Sequence, residues 1–506
     1  MSNGAAVGPD TPAPRLVLAI VAAAVVAGIA LRLMWLDRLP GIDGDEAWYG
    51  VIGQHWAAGD FVFWRTPTGN YPGPLQLAAD AIGQLVAPGS FIVLRAAPLL
   101  SSLAAMALAW RIGRRHFDPA TARLALLIMA VLPGNIAFAR FGWDPSHSAL
   151  IVVGGAALAL ERRLVATIAV YALAVFTHPT NVFCAPLLLL LFVAGERSFG
   201  ERRWLSPRNV VLALTMVVLA GAMIASTASQ AGQFVDPGAA LRRLISPTEW
   251  LAFAILLGRL IAGEPFFAHL AGSSYGALLP LVAGIGIAGF GGLVFVTVTT
   301  LRNEGLTKRA ALLLGWLAMI AAFAAVAGSG ALNTPTERYV FVLVAPTAMA
   351  MALALRRLIA DSPAREVAIG TTIGATLLAA TIALYIVPLA TRDRPISRYL
   401  GVDGLRTGPV EPKEAAARWI IAEAKRDGPL QLIADDWWLY WPMRYRLAGQ
   451  PVHVVHAGKR RSSIRTFEVK FAAVPGAPHG PNPGGAAPVW VSTGYDRRAI
   501  LRIWRR

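Results

Sequence analysis

The chain has 506 residues, of which 56% are hydrophobic and only 15% are charged, and its mean hydropathy is +0.55. This composition excludes an ordinary soluble globular protein, which carries more charge and less apolar surface. A formal net charge of +17 would suit a nucleic-acid partner. Much of the basic charge, however, lies in short loops between apolar stretches, so membrane topology explains it and no nucleic-acid partner is predicted.

Apolar stretches long enough to cross a hydrocarbon core of about 30 Å recur between residues 15 and 390. The first is too long for the core of a signal peptide and ends without a small-residue cleavage pattern, so it is interpreted as a retained span. Residues 1–14 are predicted to be a disordered cytoplasmic segment. The predicted spans, about 11 in total, are 16–36, 91–110, 122–139, 147–160, 164–177, 181–195, 209–228, 277–300, 310–328, 338–355 and 367–390.

Five short loops between these spans are rich in arginine and lysine, and the positive-inside rule assigns all five to the cytoplasm. They begin at Arg111, Arg162, Arg197, Arg302 and Arg356. The remaining loops must then face outward, among them two long segments at 37–90 and 229–276. Each is predicted to contain a surface-lying or re-entrant helix, at 75–86 and 250–262, and together they are expected to frame a cavity.

After residue 390 the sequence becomes polar and charged, with frequent proline and glycine. This change predicts a small soluble α/β domain over residues 391–506, on the outer side of the membrane. Its predicted elements are helices at 412–425 and 437–447, strands at 430–434 and 452–455, and a candidate closing strand at 489–491. A single cysteine, Cys184, excludes an intramolecular disulfide and a multi-cysteine metal site.

Three carboxylates, Asp43, Asp45 and Glu46, directly follow the first span. Crowded carboxylates at the edge of a low-dielectric region suit general-base chemistry, because one can take a proton while another binds a cation or a sugar hydroxyl. Asp43 and the nearby Tyr49 are candidate substrate-binding residues. The alternative, a solvated acidic outer loop, stays open on spacing alone.

Further polar residues fall on the side that the basic loops had already fixed as outer. Asp144 ends the third span, and His178 lies between the fifth and sixth spans. Asp144 is a candidate catalytic residue and His178 a candidate substrate contact. For Asp144 the alternative is a helix cap or a turn residue ahead of proline, and for His178 it is a packing or capping residue.

Arginines at the mouths of outward loops suit a phosphate or diphosphate, because a guanidinium offers a fixed fork of donors and stays charged. Arg338, followed by Tyr339, opens the tenth span, and Arg65 lies in the first long outer loop. The alternatives are a surface ion pair of Arg338 with Glu337 and an interfacial anchor at Arg65.

In order and sidedness, these motifs resemble the GT-C superfamily of membrane glycosyltransferases, which take sugar from polyprenyl-phosphate donors. The resemblance covers most of residues 15–360 and is strongest to the bacterial aminoarabinose transferases and protein O-mannosyltransferases. Its motifs are Asp-Glu-Ala-Trp-Tyr at 45–49, matching the family's Asp-Glu-x-x-Tyr, Asn-Tyr-Pro-Gly-Pro-Leu at 70–75, Arg-Ala-Ala-Pro at 95–98, Asp144 in an Arg-x-x-x-Asp context, and Arg338-Tyr339 followed by Pro346.

The resemblance implies an all-α polytopic transmembrane bundle with a small C-terminal α/β extracytoplasmic domain, and an inverting glycosyltransferase activity. Asp45 would be the catalytic base, with Glu46 and Asp144 orienting sugar hydroxyls. Whether Asp45 and Asp144 also hold a divalent metal ion stays open, because the family contains metal-assisted and metal-independent members.

The same resemblance implies that Arg338, Arg65 and Tyr339 bind the donor phosphate, and that Tyr71 contacts substrate. One departure concerns the outer loop, where the aminoarabinose transferases carry a lysine beside paired prolines. This chain has Asn70, Tyr71 and Gly73 there. The phosphate contact at that point is therefore either lost or shifted to Arg65.

The implied partners are a polyprenyl-phosphate sugar donor, membrane lipids, and a lipid, envelope glycan or protein acceptor. The expected location is a bacterial inner membrane, with the active site and the C-terminal domain on the outer face. One alternative is a transporter or flippase of a lipid-linked sugar, which would bury charged residues at mid-membrane beside broken helices. A non-catalytic scaffold is another. The charged candidate residues of this chain gather instead at span ends.

Overall fold

The structure is a computed structural model of the whole chain. It describes residues 12–61, 73–195, 206–231, 237–271, 273–328, 337–360, 362–391, 410–456, 458, 463–472, 487–493 and 499–506. Within these helices, the side chains at 12–14, 224, 226–231, 237, 269, 337, 338, 391, 410 and 411 lie outside the description.

Helices dominate the described residues. In chain order they are α1 Pro12–Leu33, α2 Gly44–Ala57, α3 Pro74–Val86, α4 Phe91–His116, α5 Pro119–Val131, α6 Pro133–Phe138, α7 Ser148–Leu160, α8 Leu164–Thr177, α9 Ala185–Ala194, α10 Pro207–Ala231, α11 Pro237–Ile245, α12 Pro247–Ala262, α13 Glu264–Ala271, α14 Leu279–Glu304, α15 Lys308–Ala327, α16 Val344–Ile359, α17 Pro363–Thr381, α18 Val387–Thr391, α19 Val410–Asp427 and α20 Trp437–Arg446. Short turns of 3-10 helix precede α7, α9 and α16, at Asp144–His147, Pro179–Cys184 and Glu337–Leu343.

Six helical stretches of the described chain are long and apolar enough to cross a membrane, or up to seven if the bent pair α11 and α12 is one span. They are Arg15–Leu33, Phe91–His116, Gly276–Glu304, Lys308–Ala327, Tyr339–Ile359 and Pro363–Ala390. The expectation of a polytopic integral membrane protein is therefore confirmed. The other predicted spans fall on shorter apolar helices, α5 and α7 to α10. The count of about 11 crossings stays a prediction.

Buried arginines fix the end of α1. Arg140 donates to the main-chain oxygens of Met34 and Leu39, each at 2.7 Å, and also to that of Leu31. Arg32 donates to the main-chain oxygen of Ala130 at 2.7 Å. The last carbonyls of a helix have no partner within it, so guanidinium donors satisfy them inside the apolar bundle. The chain consequently leaves α1 at a defined place and direction.

The described part of the segment 37–90, which was predicted to face outward, contains two helices, of which the sequence predicted one. The helix predicted at 75–86 is α3, which begins at Pro74. The helix α2 was not predicted. It begins after Asp43, whose side chain accepts a hydrogen bond from the backbone nitrogen of Asp45 at 2.8 Å. Asp45 and Glu46 then lie in the first turn, where negative charge favours a helix.

The described part of the segment 229–276, the second one predicted to face outward, contains α11, α12 and α13. The predicted helix at 250–262 is α12, which begins earlier because Ser246 caps it by accepting from the nitrogen of Glu249. A bend of 76° separates α11 from α12. A Cβ at Gly258 would lie 2.3 Å from the Cα of Gly286, so α12 packs directly against the apolar helix α14.

In its described residues, the C-terminal domain has a five-stranded mixed sheet with α19 and α20 packed on it. The strands are β1 Leu430–Ile433, β2 Val452–Val455, β3 Thr466–Phe471, β4 Trp490–Thr493 and β5 Ala499–Arg505, in the order β2-β1-β3-β5-β4. Strand β1 pairs in parallel with β2 and β3, while β5 runs antiparallel to β3 and β4. The predicted helices and strands of this domain are confirmed. Strands β3 and β5 were not predicted, and β4 is an edge strand because β5 lies between it and β3.

The C-terminal domain is docked on α2, α3 and the start of α4. The Tyr445 hydroxyl donates to the main-chain oxygen of Ser90 at 2.9 Å and accepts from Gln84 at 2.9 Å. Lys413, buried in the interface, donates to the main-chain oxygen of Ile42 at 2.7 Å. These contacts span more than 300 residues of sequence and hold the domain against the acidic segment.

Lys413 makes domain docking sensitive to pH. Burial lowers the pKa of Lys413 to about 8, against an ordinary value of 10.5, although the charges of Asp43 and Asp436 oppose the shift. Between those two pH values the unfolded chain binds more protons at this lysine than the folded chain does. The contribution of Lys413 to stability therefore rises with pH from about 8 to about 10.5.

We expect Lys413→Met to abolish this rise. In thermal unfolding of the detergent-solubilised protein, the unfolding temperature of the wild type should rise relative to that of the variant between pH 8 and pH 10. The exposed Lys425→Met variant serves as the control, and its difference from wild type should stay flat. A pH-independent difference for Lys413→Met would contradict the prediction.

Candidate active site

The first turn of α2 gives the three carboxylates of the acidic segment three different environments. Asp43 and Glu46 are completely buried, whereas Asp45 is the one half-buried residue in the stretch 41–50. Successive residues of a helix point about 100° apart, so neighbours in sequence face different surroundings. Asp45 is therefore the carboxylate of this segment that retains access to the surface.

Glu46 forms a buried ion pair with Arg95 of α4. Arg95 donates from Nε to Oε1 and from Nη2 to Oε2, both at 2.8 Å, and both side chains are fully buried. The backbone nitrogen of Gly142 also donates to Oε1, at 3.0 Å. A Cβ at Gly142 would lie 2.8 Å from the main-chain oxygen of Leu94, so only glycine fits this approach. These contacts favour a structural role for Glu46, namely holding α2 in place.

Asp43 is the N-cap of α2. It also lies close enough to Lys413 for its negative charge to oppose the lowering of the Lys413 pKa by burial. The alternative of a solvated acidic loop does not describe these residues, since Asp43 is fully buried. Its predicted role in substrate binding stays a prediction.

Asp45 faces the C-terminal domain. The indole Nε1 of Trp437, the first residue of α20, donates to Oδ1 of Asp45 at 2.9 Å. A Cβ at Gly44 would lie 2.5 Å from Cδ1 of the same indole, so the two helices meet at van der Waals contact. The carboxylate thus lies at the boundary between the membrane bundle and the C-terminal domain.

Tyr49 links Asp45 to Asp144. It lies four residues after Asp45 and so one turn along the same face of α2. Burial raises the pKa of the Tyr49 phenol well above its ordinary value, and the charges of Asp144 and Asp45 add to the shift. The phenol therefore keeps its proton and donates it in a hydrogen bond to the Asp144 side chain. The structure brings these three candidate residues together.

Residues of two further candidate segments, at Asp144 and at His178, gather around Gly73. A Cβ there would lie 2.7 Å from the main-chain oxygen of Thr177 and 3.1 Å from Cβ of Asp144. His178, next to Thr177, stacks on Tyr339 with ring centroids 5.8 Å apart. His178 Nδ1 and the Thr180 hydroxyl are 2.7 Å apart, which fits the capping role weighed for this histidine.

Two of the predicted site residues, Arg65 and Tyr71, lie outside the described residues. The backbone of Arg338 is described within the 3-10 segment Glu337–Leu343, which contacts Asp144–His147, but the Arg338 side chain is not described. The roles predicted for these three residues stay predictions.

Among the described residues, no group of three His, Cys, Asp or Glu side chains is placed to hold a metal ion. Asp45 and Asp144 both lie close enough to Tyr49 for their charges to raise the pKa of its phenol. The question of a divalent metal stays open, as it was from the sequence.

Sequence reasoning missed the contacts that position the site. Arg95 was noted as part of a family motif but not as the partner of Glu46. Asp436 caps α20 by accepting a hydrogen bond of 2.8 Å at Oδ1 from the Trp438 nitrogen, which places Trp437 at the start of the helix. The contact of Trp437 with Asp45 joins positions 392 residues apart, and no local pattern predicts it.

The fold is similar to that of ArnT from Cupriavidus metallidurans bound to undecaprenyl phosphate, with a TM-score of 0.54 and 15% identity over 97% of this chain and 98% of that chain. The same ArnT in the apo state matches with a TM-score of 0.41 and 15% identity over 97% of this chain and 98% of that one. An oligosaccharyltransferase from Archaeoglobus fulgidus, in complex with zinc and sulfate, matches with a TM-score of 0.47 and 18% identity over 86% of this chain and 62% of that one. No family model and no curated protein matches the sequence.

The first of these comparisons carries the fold assignment. The chain is an integral membrane protein with the fold of ArnT, an aminoarabinose transferase of the GT-C superfamily. The resemblance to GT-C proteins is thereby confirmed in the fold, over nearly the full length of both chains.

The Glu46–Arg95 pair offers a direct stability test. Glu46→Gln leaves the buried Arg95 without a counter-charge, and breaking a buried pair in this way costs about 3–5 kcal/mol. Asp37→Asn, in the exposed pair Asp37–Arg38, should cost less than about 1 kcal/mol. Denaturation of the detergent-solubilised variants, followed by tryptophan fluorescence, would measure both. Equal losses would contradict the structural role of Glu46.

Proposed function

We propose that the protein is an inverting glycosyltransferase that moves a sugar from a polyprenyl-phosphate donor to a lipid, envelope glycan or protein acceptor. The acceptor hydroxyl loses its proton to Asp45 as its oxygen attacks the anomeric carbon of the donor sugar. The bond from that carbon to the phosphate oxygen breaks, and the polyprenyl phosphate leaves with the electron pair. A single displacement of this kind inverts the anomeric configuration.

One observation carries the proposal: Asp45 alone among the ten residues 41–50 is only half-buried, on a helix whose other carboxylates are committed to a cap and an ion pair. A general base needs access to the proton it removes and a fixed position relative to the reacting atoms. Asp45 meets both requirements, because the Glu46–Arg95 pair fixes α2 while the Asp45 side chain faces outward.

Tyr49 and Asp144 supply polar groups on the same side of α2. The Tyr49 phenol donates its proton to the Asp144 side chain and so orients that carboxylate. A carboxylate has several lone pairs, so Asp144 can accept a further hydrogen bond from a sugar hydroxyl. We assign Asp144, oriented by Tyr49, the positioning of the transferred sugar, and His178, behind Gly73, a contact at the edge of the same group of residues.

The donor phosphate is assigned to Arg338, Tyr339 and Arg65 on the sequence resemblance. Cations at this point would stabilise the charge that develops on the leaving phosphate. The polyprenyl-phosphate donor is supported by the similar ArnT structure, which is bound to undecaprenyl phosphate. A lipid donor of that kind would reach the site from the bilayer, along the outward ends of the spans.

Asp45→Asn should reduce transfer by at least about 100-fold, because the amide cannot accept the proton. The assay is release of polyprenyl phosphate from purified protein incubated with a panel of polyprenyl-phosphate sugars and acceptor extracts. Asp60→Asn, beyond the far end of α2 and exposed, is the matched control and should retain activity. Normal turnover by Asp45→Asn would refute the assignment of the base.

The flippase alternative makes the opposite prediction in the same assay. A transporter would move the lipid-linked sugar across vesicles without releasing lipid phosphate. The charged residues of α14 and α15 lie at the ends that join the two helices, at Arg302, Glu304, Lys308 and Arg309. A transport path through these spans would need charge at mid-span, so this arrangement favours the enzyme.

The outward orientation of the site can be tested by cysteine labelling in a Cys184→Ser background. A cysteine in place of the exposed Ala448, in the C-terminal domain, should react with a membrane-impermeant maleimide on intact cells. A cysteine in place of the exposed Arg302 should react only after permeabilisation. The reverse pattern would overturn the proposed topology.

A further inference from the structure

We infer that Trp437, from the C-terminal domain, is a positioning residue of the active site, holding the carboxylate of Asp45 in its reactive orientation. The inference rests on the proposed function, because it assigns Asp45 the role of base. It makes the C-terminal domain a structural part of the catalytic centre rather than an appended module.

The hydrogen bond between the two residues has a fixed sense. An indole nitrogen is a donor only, so Trp437 Nε1 donates and Asp45 Oδ1 accepts, over 2.9 Å. A hydrogen bond to an ionised carboxylate is stronger than one between neutral groups. Holding one oxygen fixes the plane of the carboxylate, and therefore the direction in which it receives a proton.

The indole is itself held in place by aromatic neighbours. Trp437 packs edge-on against Trp441, with ring centroids 5.4 Å apart, and Trp441 packs edge-on against Trp48 at 6.4 Å. Trp48 is buried in α2, between Asp45 and Tyr49. The helix α20 begins at Trp437, and Asp436, the residue before it, is its N-cap. The donor is therefore positioned by both the domain and the helix that carries Asp45.

Gly44 makes this approach possible. A Cβ at this position would lie 2.5 Å from Cδ1, 2.8 Å from Nε1 and 2.9 Å from the main-chain oxygen of Trp437. Any other residue would push the indole and the start of α20 away from α2. The residue at position 44 thus controls how closely Trp437 approaches α2, although it takes no part in the hydrogen bond between Trp437 and Asp45.

Domain docking has other anchors, which separates positioning from simple packing. Tyr445, Arg446 and Lys413 bond to main-chain oxygens of Ser90, Gly89 and Ile42. The N–H group of Trp437 is not needed to attach the domain. Removal of this N–H group should consequently leave folding unchanged, while the Asp45 carboxylate loses the hydrogen bond that orients it.

The test is Trp437→Phe in the full-length protein, which keeps an aromatic ring but loses the donor. We expect kcat to fall about 10- to 100-fold, as small misplacements of catalytic groups do. The donor KM and the unfolding temperature should stay at wild-type values. Gly44→Ala, which displaces an intact Trp437, should lower kcat at least as much.

Tyr445→Phe is the control for docking, because it removes an interface hydroxyl that bonds to Ser90 and Gln84, not to Asp45, and it should lower the unfolding temperature without lowering kcat. A kcat of Trp437→Phe within twofold of wild type would overturn the inference. So would a Tyr445→Phe variant that loses kcat to the same extent, since docking alone would then explain the effect. Failure of the proposed function is distinguishable, because Asp45→Asn would in that case remain active.

Discussion

The site depends on one buried ion pair, between Arg95 of α4 and Glu46 of α2. Neither group can be left alone in an apolar interior, so each fixes the place of the other. The pair joins the helix that carries Asp45 and Tyr49 to a span of the bundle, and the nitrogen of Gly142 ties in a third segment of chain. The helix α2, which is too short to cross a membrane, is thereby fixed against the apolar helix α4.

The same ion pair helps to give three neighbouring carboxylates, Asp43, Asp45 and Glu46, different surroundings. Asp43 caps α2, and Glu46 is paired with Arg95. Asp45, between them in the sequence, accepts a hydrogen bond from Trp437 and lies near Tyr49. Differences in burial, more than differences in residue type, therefore decide which of the three carboxylates keeps access to the surface.

The C-terminal domain covers this arrangement on the side that carries Asp45. Strand β1, which pairs in parallel with β2, leads into α20 and its cap, so the edge of the sheet that carries Asp436 and Trp437 is turned toward α2. Carboxyl ends of parallel strands are common places for functional groups. Here the group delivered is an indole donor for a carboxylate of another domain.

The sequence by itself determined the membrane class, the places of the apolar helices and the identity of the acidic segment, because hydropathy, charge bias and capping are local properties. It also predicted strands β1 and β2, but not β5, whose pairing with β3 connects distant residues. Only the tertiary structure decided that Glu46 is paired with Arg95 and that Trp437 reaches Asp45. Those contacts join residues 49 and 392 positions apart. Their existence follows from packing of the whole chain, which no local pattern of residues encodes.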